Sequence, residues 1–148
     1  MKRLGYVRIL IFLWTSETLI IAGCGSGDQG ATVKGQVLQN GKPVQFLPSE
    51  DIMVGFSSEV PAGQKPIGFF ANVQRGDGTF TVIGPGGKGM PAGKYRIRLS
   101  SQIYGSNGAD RFEHVSDPRK PPLIAEVGPE KEQTFTIDLG KWTVTKQK

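Results

Sequence analysis

The chain has 148 residues, with 18 Lys and Arg against 13 Asp and Glu, one histidine, one cysteine and a net charge of +5. One thiol excludes an internal disulfide, and one histidine excludes sites built from several imidazoles, zinc sites above all. The cations are scattered rather than clustered, which argues against a nucleic-acid partner, while 21 glycines and 10 prolines point to a turn-rich fold.

Met1-Lys2-Arg3 and Arg8 precede two apolar pieces, Ile9 to Trp14 and Leu19 to Ala22, which end at Gly23-Cys24. A basic start, a short apolar stretch and small residues at its end describe an export signal. The stretch Ile21-Ala22-Gly23-Cys24 resembles a bacterial lipobox. The resemblance implies that the Cys24 thiol receives a diacylglycerol, that the chain is cut just before Cys24, and that palmitate-type acyl chains anchor it to a membrane. Two such chains hold stably at about 0.8 kcal/mol per buried CH₂. A transmembrane helix fits poorly, because Ile9 to Ala22 is shorter than the roughly 20 apolar residues of a span and Glu17 interrupts it. An ordinary secretory signal and a buried structural cysteine are the other readings. Against the latter, Gly25-Ser26-Gly27-Asp28-Gln29-Gly30 has the composition of a flexible linker. Residues 1–23 are therefore expected to be a lipoprotein signal peptide and 24–30 a tether, with the protein exported and membrane-anchored on the extracytoplasmic side, facing the periplasm or the cell surface. Removing 23 of the 148 residues leaves 125, enough for one domain with a real core. The signal takes Lys2, Arg3, Arg8 and Glu17 with it, two net positive charges, which leaves +3.

Past residue 30 no stretch of ten residues shows helical periodicity, and apolar and polar residues alternate in short runs. The first predicted strand is Ala31 to Leu38, with Val33 and Val37 on one face, followed by an Asn40-Gly41 turn. Asp51 to Ser57 follows with Ile52, Val54 and Phe56 in phase, then Ile67 to Gln74 with Ile67, Phe69, Ala71 and Val73 in phase. Arg75-Gly76-Asp77-Gly78 reads as a tight hairpin into Thr79 to Ile83, and Gly84 to Pro91 as a glycine-rich connection between sheets. Gly93 to Ser101 alternates Tyr95, Ile97 and Leu99 with Lys94, Arg96 and Arg98, so the cations read as the solvated face of a strand. Tyr104 to Pro122 holds too many breakers to be regular. Leu123 to Val127 and Gln133 to Leu139 complete the set, the last with Phe135, Ile137 and Leu139 inward and Thr134, Thr136 and Asp138 outward. These seven strands predict an all-β, seven-stranded two-sheet β-sandwich over residues 31–140, with 141–148 as a C-terminal tail.

Val33-x-Gly35-x-Val37 with Asn40-Gly41-Lys42-Pro43-Val44, then Gly76-Asp77-Gly78-Thr79-Phe80, then Met90-Pro91-Ala92-Gly93-Lys94-Tyr95-Arg96-Ile97 occur in this order. Together they resemble carboxypeptidase-regulatory-like domains, which are transthyretin-like (prealbumin-like) sandwiches. Asp117-Pro118-Arg119-Lys120 through Val127, with Phe135-x-Ile137-x-Leu139, is similar to the ending of small bacterial lipoproteins that carry one such domain. The resemblance departs at Phe46 to Glu50 and at Phe112-Glu113-His114-Val115. It implies a non-catalytic envelope domain. Related hydrolases of purine breakdown use several histidines, and intradiol dioxygenases bind iron through two tyrosines and two histidines, whereas this chain has His114 alone.

The remaining chemistry is sparse. His114 reads as a solvated loop histidine. Asp110, Glu113 and Asp117 share the long loop without the alternating spacing of a calcium loop. Gly84 to Gly89 lacks the Gly-Lys-Ser/Thr ending of a phosphate loop, and Gly-x-Ser-x-Gly is absent. No cofactor, metal or catalytic residue is expected. Tyr104, Phe112 and Trp142 are the candidate exposed aromatics, the alternative being that they cover the ends of the sandwich. With Arg111 and Arg119, Tyr104 and Phe112 give the 104–122 loop a mixed cationic and aromatic character that suits an acidic polysaccharide or an envelope partner protein.

Overall fold

The computed structural model describes residues 30–105 and 110–148. The expected signal peptide, Cys24 and the tether up to Gln29 lie outside the described residues. Nine strands follow in order: β1 (Thr32–Gln39), β2 (Lys42–Pro43), β3 (Glu50–Ser58), β4 (Gly68–Asn72), β5 (Thr79–Val82), β6 (Gly93–Ile103), β7 (Ile124–Val127), β8 (Glu132–Asp138) and β9 (Thr143–Lys146). Helix among the described residues is limited to two 3₁₀ turns, Pro85–Gly87 and Glu113–Ser116. One sheet runs β2-β1-β8-β9 with β5 also paired to β1, and the other runs β4-β3-β6-β7. Every pair is antiparallel except β1 with β8, which run parallel in register from Thr32 opposite Glu132 to Leu38 opposite Asp138.

The two sheets close on one core. Ile52, Val54 and Phe56 of β3, Tyr95, Ile97 and Leu99 of β6, and Phe135 and Ile137 of β8 are all buried, on the face their alternation predicts. Each such side chain contributes on the order of 1.5–3 kcal/mol by leaving water. Register sets Gly35 of β1 opposite both Phe80 and Phe135. A Cβ at this position would overlap the Phe80 ring. The missing side chain lets that ring cross the core to within 5.8 Å of Phe56 in the other sheet.

The seven-strand expectation is corrected to nine among the described residues. The two-residue β2, which follows the Asn40-Gly41 turn, is too short to show an alternation. Segment 141–148 is not simply a tail: β9 pairs there with β8, from Asp138 opposite Thr143 to Phe135 opposite Lys146. Only Val144 among its four residues is apolar, so this edge strand has no readable pattern. Residues 74–79 do form a tight turn, with the Gly78 N–H donating to the Gln74 carbonyl (3.1 Å). It is not a hairpin, however, because β4 pairs with β3 and β5 with β1, so the turn is a corner between sheets. Ile67, expected inward, is 56 % exposed, because it precedes β4 beyond the edge of the core. Gly30 does not belong to a free tether: its N–H donates to the Lys88 carbonyl (2.6 Å), and Ala31 bridges Met90 in both directions (2.7 Å each).

These registers sort the connections between two ends. The chain enters at Gly30, and at that end lie the 59–67, 84–92 and 128–131 connections. At the opposite end lie the 40–49 segment, the 74–78 corner, the long 104–123 connection and the 140–142 turn.

Candidate functional site

From Asp110 onward the long connection at the far end is a strap tied down at nearly every step. Asp110 enters it with Oδ1 accepting the backbone N–H groups of Ser101 (2.9 Å) and Phe112 (2.8 Å). The Arg111 guanidinium forks onto Glu50, Nε to Oε1 at 2.6 Å and Nη2 to Oε2 at 2.9 Å, and Nη2 also donates to the Gln45 carbonyl. Glu50 is fully buried, and its Oε2 takes the Leu47 N–H as well (2.8 Å). Its backbone carbonyl accepts from the Arg75 side chain. A buried carboxylate needs this many donors, because leaving it unpaired costs several kcal/mol. Phe112 is 3 % exposed, with the Arg111 guanidinium 4.6 Å from its ring centre, and Val115 is buried beside it.

Of the four residues expected to form a ligand-binding loop, two are thus occupied internally. Phe112 is a core residue, and Arg111 is the counter-ion of Glu50. Both face inward because the 3₁₀ turn Glu113–Ser116 folds the strap onto β6. Arg119 stays exposed, gripping Asp117 through Nε (3.0 Å) and Nη2 (2.9 Å), a hydrogen-bonded pairing that holds the Asp117 carboxyl below its usual range. Tyr104 is also exposed, but it belongs elsewhere. The neighbouring Asp51 carboxylate raises the pKa of its hydroxyl, and both residues line one depression at an end of the outward face of β4-β3-β6.

His114 is exposed, its Nδ1–H donating to the Arg111 carbonyl (3.0 Å) and its ring between those of Phe112 and Trp142. Trp142 is half-buried, donates its indole N–H to the Pro121 carbonyl (2.8 Å), and carries Lys120 Nζ 4.8 Å from its ring centre. It therefore pins the strap to the start of β9. Asp110, Glu113 and Asp117 do not converge, and among the described residues no three His, Cys, Asp or Glu side chains are placed to hold a metal ion. Among the same residues no helix is long and apolar enough to cross a membrane.

A second buried carboxylate organises the same end. Asp138, expected to face outward with Thr134 and Thr136, is 4 % exposed because the turns after β1 and β8 fold over it. Its Oδ1 accepts the N–H groups of Asn40 (3.0 Å), Gly140 (3.0 Å) and Lys141 (3.1 Å), and its Oδ2 that of Gly41 (2.9 Å). Burial raises its pKa, but these four donors outweigh it and leave the group below the ordinary aspartate value.

Sequence reasoning passed over Glu50 and Phe70 and turned Asp138 outward. For Glu50 a signal existed: it shares the parity of Ile52, Val54 and Phe56, so the alternation of β3 points it inward. For Phe70 the parity was also present, since Phe69 inward puts Phe70 outward, and it is 66 % exposed. Compared with models of known protein families, and with curated proteins, the chain matches none.

Proposed function

We propose that this chain is a lipid-anchored, non-enzymatic β-sandwich of the cell envelope, held outside the cytoplasm by an acylated Cys24 and serving an interaction role. Within β-sandwiches we assign it to the transthyretin-like, carboxypeptidase-regulatory-like kind, on the order of the three motif segments between Val33 and Ile97. The observation that carries the reading is the placement of Gly30. The sandwich begins there, six residues after Cys24, so an extended tether reaches at most about 20 Å. The strap lies at the opposite end, so an anchor at Cys24 would turn the Gly30 end toward the membrane and present the strap end outward. A non-enzymatic role is supported by a single histidine whose Nδ1–H is engaged by a backbone carbonyl. Recognition through the 104–122 strap is the weaker reading, because Arg111 and Phe112 already have partners inside the fold.

The anchor is tested by feeding cells an alkyne-tagged palmitate analogue and comparing the wild type with Cys24→Ala. Label on the wild type alone is the expected result, and equal label on both overturns the anchor.

A further inference from the structure

Phe70 is the most exposed large apolar side chain among the described residues. Its ring lies across two glycines. A Cβ on Gly55 would stand 2.9 Å from the ring, and one on Gly68 3.0 Å. Glycine at both positions lets the ring rest flat on backbone and turn its other face to solvent. Gly55 belongs to β3, which is paired on both sides, and glycine weakens a strand interior.

Register places a cation in the same row as this ring. Gly55 stands opposite Phe70 on β4 and opposite Arg98 on β6, so Arg98 is two strand spacings, about 10 Å, from Phe70 along one row. Arg96 is opposite Ser57 in the next row. Both arginines are exposed, and neither side chain has a hydrogen-bond, ion-pair or ring partner among the described residues. Lys94, third in the column, has Glu126 opposite it on β7. On the other side of the Phe70 row lies a shallow depression lined by Met53, Asn72, Ser100, Gln102, Asp51 and Tyr104. It offers amides, hydroxyls and a second exposed ring.

We propose that the outward face of β4-β3-β6 binds an acidic polysaccharide, with a pyranose ring stacked on Phe70 and the polymer's carboxylates on Arg98 and Arg96. An open aromatic face takes the C–H face of a sugar, and the amides and hydroxyls of the depression suit its hydroxyls. The unpaired guanidiniums match carboxylates, which they grip in bidentate fashion. Shielding two glycines accounts for a ring over them, but it asks for no arginines. A strand added at the β4 edge is not the occupant, because it would lie beside Phe70 and leave Arg98 and Arg96, beyond β3 on β6, without a partner. At the Tyr104 end Arg75 is already paired with Asp51 (3.7 Å), so the cations left to draw the acidic groups lie on β6. This proposal deepens the interaction role above and rests on that role, not on the anchor.

The test is affinity electrophoresis of the full chain in detergent through gels containing polygalacturonate, dextran or polyglutamate. Polygalacturonate should retard the wild type, while dextran and polyglutamate should not. Phe70→Ala should weaken retardation about tenfold, the scale of one lost stacking contact, and Arg98→Gln should weaken it comparably and flatten its salt dependence. Phe70→Trp should retain binding, which separates a lost platform from a lost fold, and Arg119→Gln should leave it unchanged. No retardation of the wild type, equal retardation by polyglutamate, or full binding by Phe70→Ala overturns the proposal. Acyl labelling of Cys24 and this binding assay have independent readouts, so either reading can fail without the other.

Discussion

The strap from Asp110 to Pro122 and the outward face of β4-β3-β6 contain the same kinds of residue, arginines beside aromatic rings, and use them oppositely. In the strap, Arg111 covers Phe112 and grips Glu50, and Trp142 is pinned to the Pro121 carbonyl. On the sheet face, Arg96 and Arg98 have no side-chain partner among the described residues and stand two strands from an open Phe70 ring. Composition alone made the strap look like the recognition surface and the strand face like ordinary solvated charge. What separates them is whether the polar groups and rings are already satisfied within the fold. A guanidinium with a buried carboxylate is spoken for, and one without a partner is available to a ligand.

The largest test of this contrast is Arg111→Ala, which strands the Glu50 carboxylate in the core. It should destabilise the protein by about 3 kcal/mol, near the low end for breaking a buried pair because the Arg111 side chain is 33 % exposed. Urea unfolding measures it, and a loss below about 1 kcal/mol would mean that the strap is not held through this pair. Asp138 gives an intermediate effect. Asp138→Ala leaves four backbone donors without their acceptor and should cost about 2 kcal/mol.

Its titration adds a sign. The folded pKa is depressed below 3.8, so the contribution is complete above the unfolded value and is lost as pH falls through the folded one. The thermal midpoint should therefore fall on acidification below about pH 4, and less steeply in Asp138→Asn. An equal slope in both proteins would remove Asp138 from that role. The smallest effect is expected on the sheet face: Phe70→Ala should change stability by no more than about 1 kcal/mol, the range of a cross-strand pair. A loss of several kcal/mol would make Phe70 a structural residue like Phe112 and dissolve the contrast.

The fold class was legible because a β-strand turns alternate residues to opposite faces. Ile52, Val54, Phe56, Tyr95, Ile97 and Leu99 announce their burial by position alone. The same parity carried Glu50 inward and Phe70 outward, but neither reads as informative without its surroundings. The acceptor of the Arg111 fork lies 61 residues away in sequence, and the carboxylate that caps the Asn40-Gly41 turn lies 98 and 97 residues from those two residues. No local pattern encodes pairings at that separation. The strands β2 and β9 escaped for a different reason, being too short or too polar to show an alternation.

The amino-acid sequence by itself determined the all-β character, most strand positions and the inward face of each, because these follow from the period of two and from turn chemistry. It also raised the expectation of an anchor at Cys24. The tertiary structure alone decided which sheet each strand joins, that Arg111 and Phe112 face inward, and that Arg98 and Phe70 share a row across Gly55. Those relations depend on strand register between distant segments, where a shift of one residue would turn every side chain to the other face.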